Sequence, residues 1–431
     1  MRFVISSQGK PPLPRALLAL TVAQAFSVSG SVLTVVALPW FVLTTTGSAT
    51  QMGIVLAAEF GAMGLAGIPG GALASRFGAR RTVLLADLLR APVVGAIPIL
   101  HWMDMLSFPV LLALVAVAGV FYAPYVASQQ AMVPDIVGED EELVMRGNAV
   151  LIVGERSAAL AGPPLAGVLI AWLGAPVVLL FDAVSFLAAF AIVVAFLPST
   201  VGRLTAPAAR ALVSGVRALF RDRLLGPWTI SVGGFEAAWQ MLVASLPVLA
   251  FVRYDGDPKV VGIALGGLGL GAVTGNLLAI KLLGRVKPAR LAMVAKVLQV
   301  FAFWVLVVDL PRFGLAGVLM ATGLMSGLVT APVTAIRTMR MPADLRAATG
   351  AAFLTTMILM GAIGLAFIGP LLDSWGAERA LLVAAIIQTV FTALFVLAGA
   401  RHSSLAEVPA QLRRAAARQS PGLRSGRRLR T

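Results

Sequence analysis

The chain has 431 residues, of which 59% are hydrophobic and only 12% charged, with a mean hydropathy of +0.93. A soluble domain carries roughly 25% charged residues, so this composition excludes a water-solvated globule and leaves lipid as the solvent for most of the surface. The net charge of +15 follows from the placement of basic residues about the membrane, and no nucleic-acid partner is expected.

Crossing a bilayer as a helix takes about 20 apolar residues. The apolar runs here have that length and lack the strict alternation of a transmembrane barrel. Twelve spans are expected, at 16–43, 50–74, 82–100, 106–127, 147–172, 177–197, 228–251, 260–283, 290–309, 313–335, 347–372 and 379–400. The stretch after Arg15 is too long for a cleavable signal core and is expected to stay as the first span. Of the 34 Lys and Arg residues, 27 fall in segments on the side of the termini, four fall on the opposite side, and Arg90, Arg156 and Lys296 fall inside spans. The positive-inside rule then puts both termini in the cytoplasm of a multi-pass plasma (inner) membrane protein.

The expected organisation is an N-terminal six-helix bundle (1–197), a cytoplasmic linker (198–227), a C-terminal six-helix bundle (228–401) and a basic, disordered tail (402–431). The halves share a pattern. Leu38-Pro39 with Gly53 returns as Leu246-Pro247 with Gly262, and Gly147 with Trp172 returns as Gly350 with Trp375, at offsets of about 203 to 209 residues. Repeated halves around a midplane site are typical of secondary transporters. In the linker, Leu212, Val216, Leu219 and Phe220 share one helical face, with Arg210, Arg217 and Arg221 on another. This suits a helix lying in the membrane interface.

Between the second and third spans, Gly71, Leu73, Ala74, Arg76, Gly78, Arg80 and Arg81 resemble the Gly-x-Leu-Ala-Asp-Arg-x-Gly-Arg-Arg loop of the major facilitator superfamily. The resemblance implies twelve transmembrane helices in two pseudo-symmetric six-helix bundles, an all-α membrane protein, and a loop that latches the cytoplasmic gate as the halves rock. Two positions depart from the pattern: Ser75 replaces the acid and Ala79 an arginine. In span 5, Gly162-Pro163-Pro164-Leu165-Ala166-Gly167 resembles the Gly-Pro motif of the drug:proton antiporters, although a proline kink alone also accounts for it. Leu85 to Arg90, Val133 to Ala149 and Phe181 to Phe186 look like the macrolide-efflux and enterobactin-exporter branch. That branch implies export of a drug-like molecule, a siderophore or another metabolite, or carriage of a lipid.

An ionised side chain at the bilayer centre costs about 2.5–3.5 kcal/mol or more, so each should face a cavity or a partner. Asp87 and Arg90 are spaced i,i+3 and are expected to pair as a structural or gating element. Glu155 and Arg156 would neutralise each other, or Arg156 would meet Glu59. Asp182 is expected to hydrogen-bond a neighbouring helix. On span 7, Glu236, Trp239 and Gln240 share one side, and the resemblance implies that this span lines the central cavity. Glu236, and after it Glu59, are therefore candidates for proton coupling or substrate binding, the alternative being helix-helix hydrogen bonds. Gln24, Tyr122, Tyr125 and Asn276 are further cavity candidates.

No enzyme constellation emerges. There is no cysteine, the two histidines (His101 and His402) are far apart, and no phosphate-binding Gly-x-x-x-x-Gly-Lys-Ser/Thr loop occurs, so no metal or cofactor is expected. The leading expectation is a monomeric, proton-driven exporter of moderately hydrophobic small molecules embedded among membrane lipids. A non-transporting membrane sensor or scaffold would instead have a filled, apolar centre.

Overall fold

In lipid every backbone N–H and C=O must be paired within the chain, and the long apolar runs answer with helices. The computed structural model describes residues 14–137, 141–198, 209–283 and 285–401, with the side chains of 68–75, 130, 141, 142, 145 and 209–212 left out. The tail 402–431 and most of the linker's first half thus lie outside the described residues. The spans of the first half are α1 (Arg15–Thr46), α2 (Ala49–Phe77), α3 (Ala79–Trp102), α4 (Phe108–Val120) with α5 (Tyr122–Val137), α6 (Glu141–Leu173) and α7 (Ala175–Phe196). A short α8 (Ala209–Arg221) precedes α9 (Leu225–Arg253), α10 (Pro258–Leu282), α11 (Pro288–Val305), α12 (Arg312–Arg340) and α13 (Arg346–Arg401). Helix α13 is two spans, because Gly376 interrupts it with non-helical φ 79° and ψ 170°.

Three departures from the expected elements have local causes. The 70–81 stretch is no loop: α2 continues to Phe77, and a single residue, Gly78 at φ 85° and ψ 151°, turns the chain into α3. Only glycine adopts that conformation without strain. The fourth span divides at Phe121 and runs on to Val137 instead of ending at 127. Pro124 follows, and it has no N–H to offer the carbonyl of Val120. The α8 helix does not lie free in the interface, since Gly215 packs against the Ala348 carbonyl and Thr349 of α13 and Leu219 is fully buried. The Arg210 and Leu212 side chains lie outside the described residues.

The repeat is structural. Gly174 (φ 82°, ψ 156°) turns α6 into α7 with nearly the backbone that Gly376 uses between the two limbs of α13. Between apolar helices in lipid, packing rather than the hydrophobic effect drives association, and small residues let backbones approach. The α10–α12 crossing is built that way. Gly267, Gly271 and Gly275 face the Ala316, Met320 and Leu324 carbonyls, and Gly323 and Gly327 answer from α12.

The molecule has two ends: a near face, where α1 begins and α13 finishes, and a far face, where Gly47, Gly174 and Gly376 make their turns. The halves are joined at the far face. Gly53 of α2 abuts the Leu365 carbonyl and Gly369 of α13, and Gly262 of α10 abuts the Pro163 carbonyl and Gly167 of α6. Trp40 of α1 stacks on Phe251 of α9 with ring centroids 4.7 Å apart. Asp373 of α13 caps the first turn of α2, accepting hydrogen bonds from Ala49 N–H (2.9 Å), Thr50 N–H (2.8 Å) and Ser48 Oγ (3.0 Å). Towards the near face α6 and α10 part: Gly154 has no heavy atom of another element within 4 Å of an added Cβ, and Glu155 and Arg156 are exposed.

Candidate functional site

A cleft holding about 160 Å³ of water-accessible space lies midway through the second half and towards the near face. Helix periodicity puts Val232, Phe235, Glu236 and Trp239 of α9 on one of its walls, at i, i+3, i+4 and i+7. Helix α11 contributes Lys296 and Gln299, α12 contributes Ser326 and Thr330, and the second limb of α13 contributes Gln388. Gln240 Nε2 donates to Glu236 Oε1 at 2.7 Å. Space for that pair exists because Gly361 stands opposite, where a Cβ would come within 3.1 Å of Gln240 Cγ and 3.4 Å of Glu236 Cγ. Phe60 of α2 borders the same glycine, 3.6 Å from where a Cβ would stand, so the carboxyl lies beside the interface between the halves.

Lys296 is 6% exposed, and its ammonium sits 3.7 Å from the centroid of the Phe235 ring. It donates to Gln299 Oε1 at 2.7 Å. That carbonyl also accepts from Gln388 Nε2 at 3.3 Å, while Gln299 Nε2 donates to the Thr322 carbonyl at 3.2 Å. The amide is thereby fixed with its oxygen towards the ammonium. Glu236 and Lys296 interact electrostatically across the cleft without forming a direct ion pair.

The first half contains a second buried cation. Arg90 is 8% exposed and lies 4.1 Å from the centroid of Phe186 on α7 and 5.9 Å from that of Tyr125 on α5, with Nη2 donating to Ser31 Oγ at 3.4 Å. The expected Asp87–Arg90 pair does not form. Arg90 turns towards the aromatic rings, and both Asp87 carboxyl oxygens are buried without a hydrogen-bond partner. Arg90 is nonetheless the shared electrostatic partner of Glu59, Asp87 and Asp182. Asp182 accepts from Thr34 Oγ1 at 2.6 Å, an inter-helix hydrogen bond of the kind its position suggested.

The remaining candidates divide. Glu155 and Arg156 form no ion pair with each other, since side chains adjacent on a helix point in different directions; both are exposed, and Arg156 forms no pair with Glu59 of α2 either. Tyr122 is exposed and within electrostatic reach of Glu59 and Glu155. Tyr125 is buried and accepts from Gln129 Nε2 at 2.7 Å. Asn276 bonds back to the Ala272 carbonyl of its own helix and stands outside the cleft, and Gln24 buries an unpartnered Oε1. Among the motif residues, Arg80 Nε donates to the Leu197 carbonyl at 3.0 Å, and its Nη2 to Val193 and Val194 at 3.4 Å each. It therefore caps the end of α7 in its own half. Arg76 and Arg81 are exposed, and the positions of Gly71 and Ser75 lack described side chains. Gly162 packs against Val32 of α1, and the Pro163 carbonyl meets Gly262 of α10.

Sequence reasoning placed Lys296 in a span but assigned it no site, and it passed over Gln299 and Gln388. A signal was present, because Lys296 follows Arg90 by 206 positions, within the offset of the repeat. The two buried cations are equivalents in the two halves, each seated on an aromatic ring.

Comparison with known proteins agrees with this architecture. The family model described as the Major Facilitator Superfamily matches residues 20–365. The multidrug efflux pump Tap of Mycobacterium tuberculosis (strain ATCC 25618 / H37Rv) is 26% identical over 376 residues, covering 84% of this chain and 88% of the relative. The pump of the same name from Mycolicibacterium fortuitum is 26% identical over 382 residues, covering 85% and 91%. Among solved structures, a bacterial homolog of the human lysosomal transporter Spinster superposes with a TM-score of 0.74 at 15% identity, covering 93% of this chain and 100% of that one. The nucleoside transporter NupG gives 0.72 at 13%, covering 89% and 98%. With twelve spans among the described residues and a family match across residues 20–365, the chain belongs to the Major Facilitator Superfamily.

Proposed function

We propose that this protein is a proton-coupled exporter of moderately hydrophobic, drug-like small molecules that works by alternating access. The observation that carries the reading is the Glu236 carboxyl, held by Gln240 on the wall of an aromatic-lined cleft beside the interface between the halves. Relatives named as multidrug efflux pumps support the export direction. The distribution of Lys and Arg supports a cytoplasmic near face, and on that reading the packed far ends are external and the conformation is inward-facing. In the transport cycle Glu236 and Glu59 are alternately protonated and substrate-bound, and the protein acts as a monomer in the plasma membrane. Arg76, Arg80 and Arg81 flank the cytoplasmic gate, with Arg80 stabilising it through the end of α7.

The test is ethidium efflux from energised cells expressing the protein. Export that collapses with a protonophore supports the reading. Ethidium extrusion at the rate of cells lacking the protein refutes it.

A further inference from the structure

The Lys296 ammonium occupies a place that neutral groups have built for a cation: the face of Phe235 at 3.7 Å on one side and the fixed carbonyl of Gln299 at 2.7 Å on another. An aromatic face, a carbonyl and a nearby carboxylate are the groups that would receive a substrate ammonium. Yet Lys296 forms no ion pair with Glu236, although the two interact electrostatically. A lysine serving only as structural counter-ion would close that gap. Here the charge is held beside the carboxylate by groups that carry no charge of their own. The other linings of the cleft add no compensating charge: α12 presents Ser326, Thr330 and Thr334, and α13 presents Phe353, Met357 and Gln388. Arg337 stands beyond Phe353, over the ring at 4.8 Å.

We propose that Lys296 is a resident cation occupying the ammonium subsite of this cleft, so that a substrate cation binds against Glu236 only in competition with it. The inference rests on the reading of the Glu236 cleft as the substrate site. Lys296 is then a specificity-determining residue. Its stem is flexible, so the head group can leave the Phe235 face when a better-fitting cation arrives, and it excludes cations too weakly held by the rings to displace it. Once displaced, it repels the bound cation, which favours later release.

Binding of tetraphenylphosphonium, a cation that cannot exchange a proton, is measured by equilibrium dialysis on the detergent-purified full chain, with neutral chloramphenicol as the companion probe. Lys296→Met removes the resident charge at nearly constant volume. It should tighten tetraphenylphosphonium at least about tenfold, as expected for one unit charge a few ångströms away at an effective dielectric constant of about 20. Chloramphenicol should be unchanged, and Lys296→Arg should match the wild type for both. Unchanged or weaker tetraphenylphosphonium binding in Lys296→Met overturns the proposal. So does loss of both ligands in Lys296→Met and Lys296→Gln alike, which would make the lysine a structural support. Tighter wild-type binding of tetraphenylborate than of tetraphenylphosphonium would make Lys296 an anion site and also overturns it. Glu236→Gln separates the two levels. If it leaves tetraphenylphosphonium binding intact, the cleft itself is not the cation site; if it abolishes binding while Lys296→Met does not tighten it, only the competition fails.

Discussion

Asp373 is the polar contact among those by which the C-terminal half holds the N-terminal half at the far face, and its removal has a calculable effect. The carboxylate caps α2 across the interface, accepting from two backbone N–H groups and the Ser48 hydroxyl at 2.8 to 3.0 Å. Loss of a helix N-cap costs about 1 kcal/mol, and loss of a negative charge at a helix N-terminus costs about 0.3–1 kcal/mol more. Because these bonds join the halves only while the far ends are together, Asp373→Ala penalises that state alone by about 1–2 kcal/mol, which shifts the conformational equilibrium roughly 5–30-fold. The chain has no cysteine, so spin labels at Thr44→Cys and Arg379→Cys, both exposed at the far face in different halves, report the separation cleanly. Asp373→Ala should raise the long-distance population in pulsed dipolar spectroscopy. Asp373→Asn, which keeps one acceptor, should fall between it and the parent. An unchanged distance distribution in folded Asp373→Ala protein would refute the assignment of this cap as a latch.

Three other expectations follow from the geometry. Burial pushes the Asp222 carboxyl up, but hydrogen bonds from Arg340 (2.6 Å) and from the Leu225 and Leu224 N–H groups outweigh it and hold its pKa below the usual value of 3.8. The folded state therefore gains stability from Asp222 above that pH and loses it as pH falls through the lower folded value; Tm of purified Asp222→Asn should be lower near neutrality and less acid-dependent than that of the wild type. Gly262→Leu cannot fit against the Pro163 carbonyl, which would lie 2.5 Å from the new Cβ, so the long-distance population between spin labels at Thr44→Cys and Arg379→Cys should rise as the far ends are forced apart. Arg80→Ala removes the side-chain donor from the Val194 and Leu197 carbonyls at the end of α7, while the Val193 carbonyl keeps the Leu197 N–H, at a cost of about 1 kcal/mol. Its Tm should drop, with partial rescue by Arg80→Lys.

The helices were legible because lipid enforces them: apolar runs near the length of the bilayer core became the spans, and the repeat of Trp172 and Trp375 pointed to the matching turns at Gly174 and Gly376. Arg76, Arg80 and Arg81 marked the connection between α2 and α3, but not its reduction to the single residue Gly78, because polar residues on two helix ends have the composition of a loop. Side-chain pairing was least legible. Arg90 lies three residues from Asp87, yet it chooses the Phe186 ring of another helix, a preference that depends on how α3 and α7 dock. Glu236, Trp239 and Gln240 could be grouped because they share one helix face. Lys296 and Gln299 share a face of α11 at i,i+3, but Gln388 joins them only through the crossing of α11 with α13.

If carboxyls in the membrane couple proton entry to export, transport must follow the proton gradient and fail without them. Proteoliposomes with an imposed pH gradient, loaded for ethidium transport, test it most directly. The wild type should show gradient-driven transport, and the Glu236→Gln, Glu59→Gln double variant should lose it while downhill ethidium movement persists. Undiminished gradient-driven transport by the double variant would contradict it.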